Sequence, residues 1–216
     1  MAGRFITFEG GEGVGKSTQL QRAAAWLRSA GVEYVLTREP GGTPRAELLR
    51  RVLLEQGDEP MPQACELLLM FAARASHLAN LVEPALARGA WVLCDRFTDA
   101  TYAYQGGGRG MSSADIDALV RIVHPQRQPD RTLLFDAPVA LGMSRAHARN
   151  GETGPDRFET ERGEFFERVR QCYLQRAAGE PGRFHVIDAS RSVEEVEASV
   201  RDALAPLLSE PAGNVP

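Results

Sequence analysis

Lysine is almost missing from this chain: of its 25 basic residues, every one except Lys16 is arginine. Cysteine is scarce as well. Cys65, Cys94 and Cys172 stand far apart, cannot all pair and share no metal-ligand spacing. A disulfide scaffold or zinc site is thereby excluded, and reduced thiols in a cytosolic setting are expected. A net charge of −4 leaves no polybasic footprint, so nucleic acid is not an expected partner. No signal-peptide pattern opens the sequence and no apolar run reaches membrane-spanning length, so no membrane partner is expected either. His124, His147 and His185 cluster with neither acids nor thiols. There is no internal repeat. At 216 residues and 43% hydrophobic content, the composition suits one soluble domain with a sizeable core.

What the chain does contain is Gly10-Gly11-Glu12-Gly13-Val14-Gly15-Lys16-Ser17-Thr18. This matches the phosphate-binding loop G-x-x-x-x-G-K-[ST], with an apolar run before it and a helical pattern after it. Glycines let the backbone approach a polyphosphate that a Cβ would obstruct. Successive N–H groups and the start of the following helix offer partial positive charge. Lys16 adds a full charge towards the β- and γ-phosphates of a nucleotide such as ATP, and the Ser17 hydroxyl is placed to reach Mg²⁺. An ammonium is a compact point charge that fits where a planar guanidinium would not. The single departure from the arginine bias sits where the chemistry requires it.

Five short apolar runs, Phe5–Phe8, Tyr34–Leu36, Trp91–Cys94, Thr132–Phe135 and Phe184–Ile187, are continuous rather than alternating. Helical patterns separate them. This predicts an α/β domain of P-loop NTPase type, in three layers: a five-stranded parallel sheet with helices on both faces. Ligands in such sheets bind at the carboxyl ends of the strands. Glu9 to Ser17, Arg38, Asp95-Arg96 and Asp136 fall there. Two arginines converging on one spot suit a phosphate monoester, and a carboxylate after an apolar strand suits Mg²⁺, directly or through water. One long helical stretch is expected from Pro62 to Arg88, continuous or broken near Pro84. Its centre, Leu67–Ala73, is apolar nearly all round, as for a helix buried on every side or lying in a subunit interface. Phe71 and Arg74, three apart, share a face and can stack a base and bond its edge. Thr101, Tyr104 and Gln105 share another face, and the glycines after them read as a loop. The polar, Gly/Pro-rich segment about 145–158 reads as a mobile lid. The phosphate loop has no arginine at its variable positions, so Arg145, Arg149 and Arg157 become the expected supply of charge for phosphoryl transfer. Residues 1–208 form the expected domain, and 209–216 a frayed tail.

Taken together, Phe8–Thr18, Thr37-Arg38-Glu39-Pro40-Gly41-Gly42-Thr43, Leu69-Met70-Phe71-Ala72-Ala73-Arg74, Asp95-Arg96 and Ala103-Tyr104-Gln105-Gly106-Gly107-Gly108-Arg109-Gly110 resemble the bacterial thymidylate kinases over nearly the whole chain. The resemblance implies transfer of the γ-phosphoryl group of ATP to dTMP with Mg²⁺, in a cytoplasmic homodimer. By position it implies that Phe71 stacks on thymine, Arg74 bonds its edge, and Arg38 and Arg96 hold the monophosphate. Glu12 would lie near the sugar 3′-hydroxyl or the transferring phosphate. Thr101, Tyr104 and Gln105 would line sugar and base, with Tyr104 crowding a 2′-hydroxyl. Lys16, Glu12, Arg149 and Arg157 are then the catalytic candidates, and which lid arginine reaches the phosphate stays open. A kinase for another monophosphate is the nearest rival. A P-loop switch would leave the paired arginines and the lid unexplained.

Overall fold

The structure, a computed structural model, describes residues 3–55, 59–150 and 163–209. Its strands are β1 (Phe5–Gly10), β2 (Tyr34–Arg38), β3 (Trp91–Asp95), β4 (Arg131–Asp136) and β5 (Phe184–Asp188). They are the five apolar runs, each longer by a residue or two. They pair in parallel throughout, in the order β2-β3-β1-β4-β5. The helices are α1 (Lys16–Ser29), α2 (Pro44–Leu54), α3 (Gln63–His77), α4 (Glu83–Ala87), α5 (Thr98–Thr101), α6 (Ser113–Val123), α7 (Val139–Asn150), α8 (Gly163–Gly179) and α9 (Val193–Ser209).

The continuous apolar strands are explained by burial on two faces. On one face Ile6, Phe8, Leu93, Leu133 and Phe135 pack with Leu20 and Leu27 of α1 and with Val196, Val200 and Leu204 of α9. On the other, Phe5, Val92 and Cys94 meet Leu78, Val82 and Ala85. There too Leu134 and Phe184 meet Phe165, Phe166, Val169 and Tyr173 of α8. Successive residues of one strand thus serve opposite layers, and the three-layer expectation holds.

The long helical stretch forms as expected, and the glycine run departs from expectation, each for an identifiable reason. The stretch from α3 to α4 does not break at Pro84, because Leu78–Val82 turns as a π-helix and the Glu83 N–H bonds to Leu78 O, five residues back. Pro84 then falls at the start of α4, where a missing N–H costs little. The glycine run is not a loop at its start: Tyr102–Gly108 continues α5 as a π-helix packed on α8. Glycine is needed for that approach, since a Cβ on Gly107 would lie 2.7 Å from Cys172 Cβ and one on Gly108 2.4 Å from the Phe165 ring. The span Gln63–Ala87 is apolar enough by composition to cross a membrane. It is nevertheless a core helix, with Glu66, Arg74 and His77 buried and paired to other elements. Nor is α3 buried all round: Phe71 is 2% exposed and Leu68 57%.

The loop joining β1 to α1 rests against α7. A Cβ on Gly13, whose φ is +65°, would lie 1.9 Å from Gly142 O, and a Cβ on Gly142 would lie 2.4 Å from Glu12 O. Inside an ordinary helix, alanine outranks glycine by about 1 kcal/mol. Here the sign should reverse: Gly142→Ala is expected to lower unfolding free energy by about 1–3 kcal/mol in denaturant titrations. An unchanged or raised midpoint would mean that loop and helix separate without cost.

Candidate active site

Parallel register aligns the carboxyl ends of the central strands: Phe8 lies opposite Asp95, and Gly10 opposite Phe135. A cleft of about 410 Å³ opens at that edge, lined by the phosphate loop from Glu12 to Thr18, by the ends of β2 and β3, and by α3 and α5. Gly10 and Gly11 line a smaller cavity beneath the loop instead. Gly15 enters α1 at φ +87°, a conformation that suits glycine. The Lys16 ammonium folds back to donate to Gly10 O at 3.0 Å and Gly11 O at 2.5 Å. Burial, reinforced by the Arg96 cation, lowers its pKa to about 8, although Glu12, Asp95 and Glu9 pull the other way. The three carboxylates thus offset the burial of this cation only in part, and a bound polyphosphate would offset more of it.

Arg96 links the loop to the sheet. It is the one non-glycine residue at positive φ, +68°, among those described. Such strain costs about 1–3 kcal/mol and persists where neighbours fix it. Its N–H donates to Phe8 O. Its guanidinium donates to Gly10 O at 3.0 Å and Glu12 Oε1 at 2.5 Å, and lies 4.7 Å over the Tyr104 ring. The Tyr104 hydroxyl donates to the same Glu12 oxygen at 2.7 Å. Glu12, Arg96 and Tyr104 thus form one unit at the middle of the cleft. Glu9, near the end of β1, is fully buried and accepts from Phe97 N–H at 2.6 Å and the Tyr173 hydroxyl at 2.7 Å. Burial and the Asp99 charge push its pKa up to about 8, against Tyr173, Arg96 and the Phe97 N–H. Its place at the strand end is legible in the sequence; its burial and its partners from α8 and the β3–α5 link are not.

A second wall comes from α3 and α5. Arg74, 2% exposed, donates through Nε to Glu39 at 2.7 Å and through Nη2 to Thr101 Oγ1 at 3.0 Å. Its buried Nη1 has no partner among the described residues. Burial alone would raise the Glu39 carboxyl; Arg74 and His77 outweigh that and hold it below the usual value. Thr101 and Gln105 line the cleft beside Arg74, as expected. Phe71 does not. Its ring lies in the core, stacked at 6.3 Å on His124, and the cleft wall is built by Met70, one residue earlier. Residues three and four before Arg74 both lie near its face, so spacing could not choose between them. Packing of α3 against Ile116, Leu119 and Val120 of α6 takes Phe71 inward and leaves Met70 facing the cleft.

Arg38 and Arg96 both line the cleft, but Arg38 is 47% exposed at the rim and held by Glu47 at 2.8 Å. Arg50, donating to Pro40 O, is a further cation of the lining that sequence reasoning missed. Its signal was the α2 face Glu47, Arg50, Leu54, spaced three and four apart. Arg145 lines the far side and donates to Ala189 O at 2.8 Å. The Arg149 side chain and Arg157 lie outside the described residues, as do most of the expected lid and nearly all of the tail. Ser17 and Asp95 share the cleft, and Asp95 Oδ1 is buried without a hydrogen-bond partner among the described residues. A carboxylate oxygen of that kind, in a cleft that a serine hydroxyl also lines, fits Mg²⁺, a hard cation that takes oxygen ligands.

The family model for thymidylate kinase matches residues 8–200. The chain is 58% identical over 208 residues to a thymidylate kinase of Chromohalobacter salexigens, covering 96% of this chain and 97% of that one. It is 57% identical over 210 residues to one of Pseudomonas putida, covering 97% and 98%. Among solved structures, the thymidylate kinase of Ehrlichia chaffeensis superposes with a TM-score of 0.77 at 33% identity, over 94% of this chain and all of that one.

Glu9 has a consequence for stability. Its carboxyl moves from 4.5 to about 8, so its stabilisation is complete below pH 4.5 and lost as pH rises through 8. Glu9→Gln, which keeps a neutral side chain, should therefore gain on wild type between about pH 5 and about pH 8.5. Paired thermal melts at the two pH values check this; a constant difference would show that Glu9 is ionised throughout.

Proposed function

The chain belongs to the thymidylate kinase family, and from that premise we infer how its cleft moves the γ-phosphoryl group of ATP onto dTMP to give dTDP and ADP. ATP occupies the phosphate loop. Lys16 exchanges the carbonyls of Gly10 and Gly11 for β- and γ-phosphate oxygens, and the N–H groups from Gly13 to Thr18 surround the chain of phosphates. Ser17 and Asp95 hold Mg²⁺, together with the phosphates or through water. When bound, Mg²⁺ neutralises charge that builds on the polyphosphate.

The dTMP base lies against Met70, with its edge towards Arg74 and Gln105. The observation that carries this assignment is the buried Arg74 Nη1 in the cleft wall, without a partner among the described residues, a donor that costs stability until an acceptor arrives. Thr101 and Tyr104 face the sugar. The acceptor phosphate reaches Arg96 and the rim cations Arg38 and Arg50, and Glu12 sits between the two phosphate sites. Transfer proceeds by positioning and charge stabilisation, without a covalent intermediate. Arg145, Arg149 and Arg157 of the lid supply the charge that the phosphate loop lacks, and closure excludes water. The setting is cytosolic. The enzyme is a homodimer, joined across the outer faces of α2 and α3, where Leu48, Val52 and Leu68 are exposed.

Coupled ADP release over a panel of nucleoside monophosphates tests the reading. Turnover should require dTMP and vanish in Lys16→Met. Met70→Ala should raise KM for dTMP about tenfold with little change in kcat, whereas Phe71→Ala should mainly cost about 3–5 kcal/mol of stability. ADP release at the same rate without an acceptor would turn the assignment towards a nucleotide switch. A raised KM in Phe71→Ala at undiminished stability, with Met70→Ala silent, would return the base to Phe71. For the dimer, sedimentation should show two chains, separated by Leu68→Arg; a wild-type monomer at assay concentration refutes it.

A further inference from the structure

Gln105 is 1% exposed, yet it lines the cleft beside Arg74. A side-chain amide can present either its oxygen or its nitrogen to a ligand, and turning it over reverses the hydrogen bonds it offers. Here the choice is made from behind. Gln105 Nε2 donates to Glu66 Oε1 at 2.8 Å, and the same oxygen accepts from Arg109 Nε at 3.0 Å. An oxygen receiving an N–H from Arg109 offers only lone pairs. Were Gln105 turned over, its carbonyl would face a carboxylate, acceptor against acceptor, in a site where Glu66 is 1% exposed and water cannot relieve the conflict. The amide nitrogen is therefore pinned towards Glu66, and the amide oxygen is left for the cleft.

The same helix face carries the rest of the wall. Glu66, Met70 and Arg74 lie at successive intervals of four on α3, so one stripe sets the amide, the platform and the guanidinium. Resting on the assignment of the base edge to Arg74 and Gln105, we propose that Glu66 is a positioning residue for base specificity. By locking the Gln105 amide it fixes an acceptor next to the Arg74 donor. A 4-keto pyrimidine offers the complement, an N3–H donor beside an O4 acceptor. Cytosine offers the reverse, an N3 acceptor beside an amino donor, and meets two mismatches. Glu66 touches no substrate; it works by removing the second amide orientation that would admit cytosine.

The test is kcat/KM for dTMP, dUMP and dCMP in wild type, Glu66→Gln, Gln105→Leu and the double variant. A neutral amide at position 66 can pair with Gln105 in either orientation. Glu66→Gln should therefore narrow the dTMP/dCMP ratio by about tenfold, mostly through KM, and leave dTMP/dUMP unchanged because those bases share an edge. In Gln105→Leu, adding Glu66→Gln should not change the ratio further. A uniform loss on all three substrates in Glu66→Gln, with the ratio kept, would reduce Glu66 to a structural role and overturn the proposal. If Gln105→Leu itself leaves the dTMP/dCMP ratio intact, the base-edge assignment fails first, and the proposal falls with it. Should Glu66→Gln not fold, the wild-type ¹⁵N spectrum decides. Gln105 NH₂ protons protected from exchange before dTMP is added support the lock, and rapid exchange refutes it.

Discussion

The position of β1, paired in parallel on both sides, is the constraint from which the site follows. Parallel pairing with β3 and β4 forces three strands to end at one edge of the sheet, so that the phosphate loop, Asp95-Arg96 and Asp136 emerge together. Each of those ends then faces a cost. Lys16 and Arg96 are cations brought into a largely buried site, and taking charge out of water is expensive. The carboxylates Glu12, Asp95 and Glu9 stand near, but they do not balance the account at Lys16: burial and Arg96 prevail, and its pKa falls. The free site is thus electrostatically unsatisfied in the sense that favours a polyanion. Preorganised charge of this kind stabilises phosphoryl transfer without reorganising at the moment of reaction.

Much of this architecture was readable from the residues. A parallel sheet buried on both faces writes its strands as unbroken apolar runs, and all five were found within a residue or two. The phosphate loop declared itself because its glycines and its lysine answer to backbone geometry and to charge, both of which are local. What stayed hidden depended on the rotation of one element against another. Phe71 and Met70 differ by a single helical step, and only the packing of α3 against α6 sends the thioether to the cleft and the ring to His124. Glycines 106–108 read as a connector because their partner, α8, lies about sixty residues further along the chain. Glu66 and Arg50 carry no motif, and their roles rest on what faces them across a groove.

Arg96 illustrates how a local cost is carried by a distant gain. A left-handed arginine is disfavoured by its Cβ, yet that backbone turn throws the guanidinium back across β1 to Gly10 O and Glu12. Glu12 in turn holds Tyr104, which packs on Phe165 and Tyr173 of α8. Loop, sheet and outer helix are therefore fixed by one strained residue.

The solitary lysine gives the molecule an unusual chemical address. Guanidinium groups are poor nucleophiles and stay protonated far into alkali, so acylating and carbonyl reagents that seek ε-amines meet only Lys16 along the chain. That amine loses its proton near pH 8, earlier than an ordinary lysine, and it sits 7% exposed in the nucleotide cleft. With ATP placed in the phosphate loop as proposed above, its phosphates would shield the chain's single ε-amine, and side-chain amine labelling would report nucleotide occupancy.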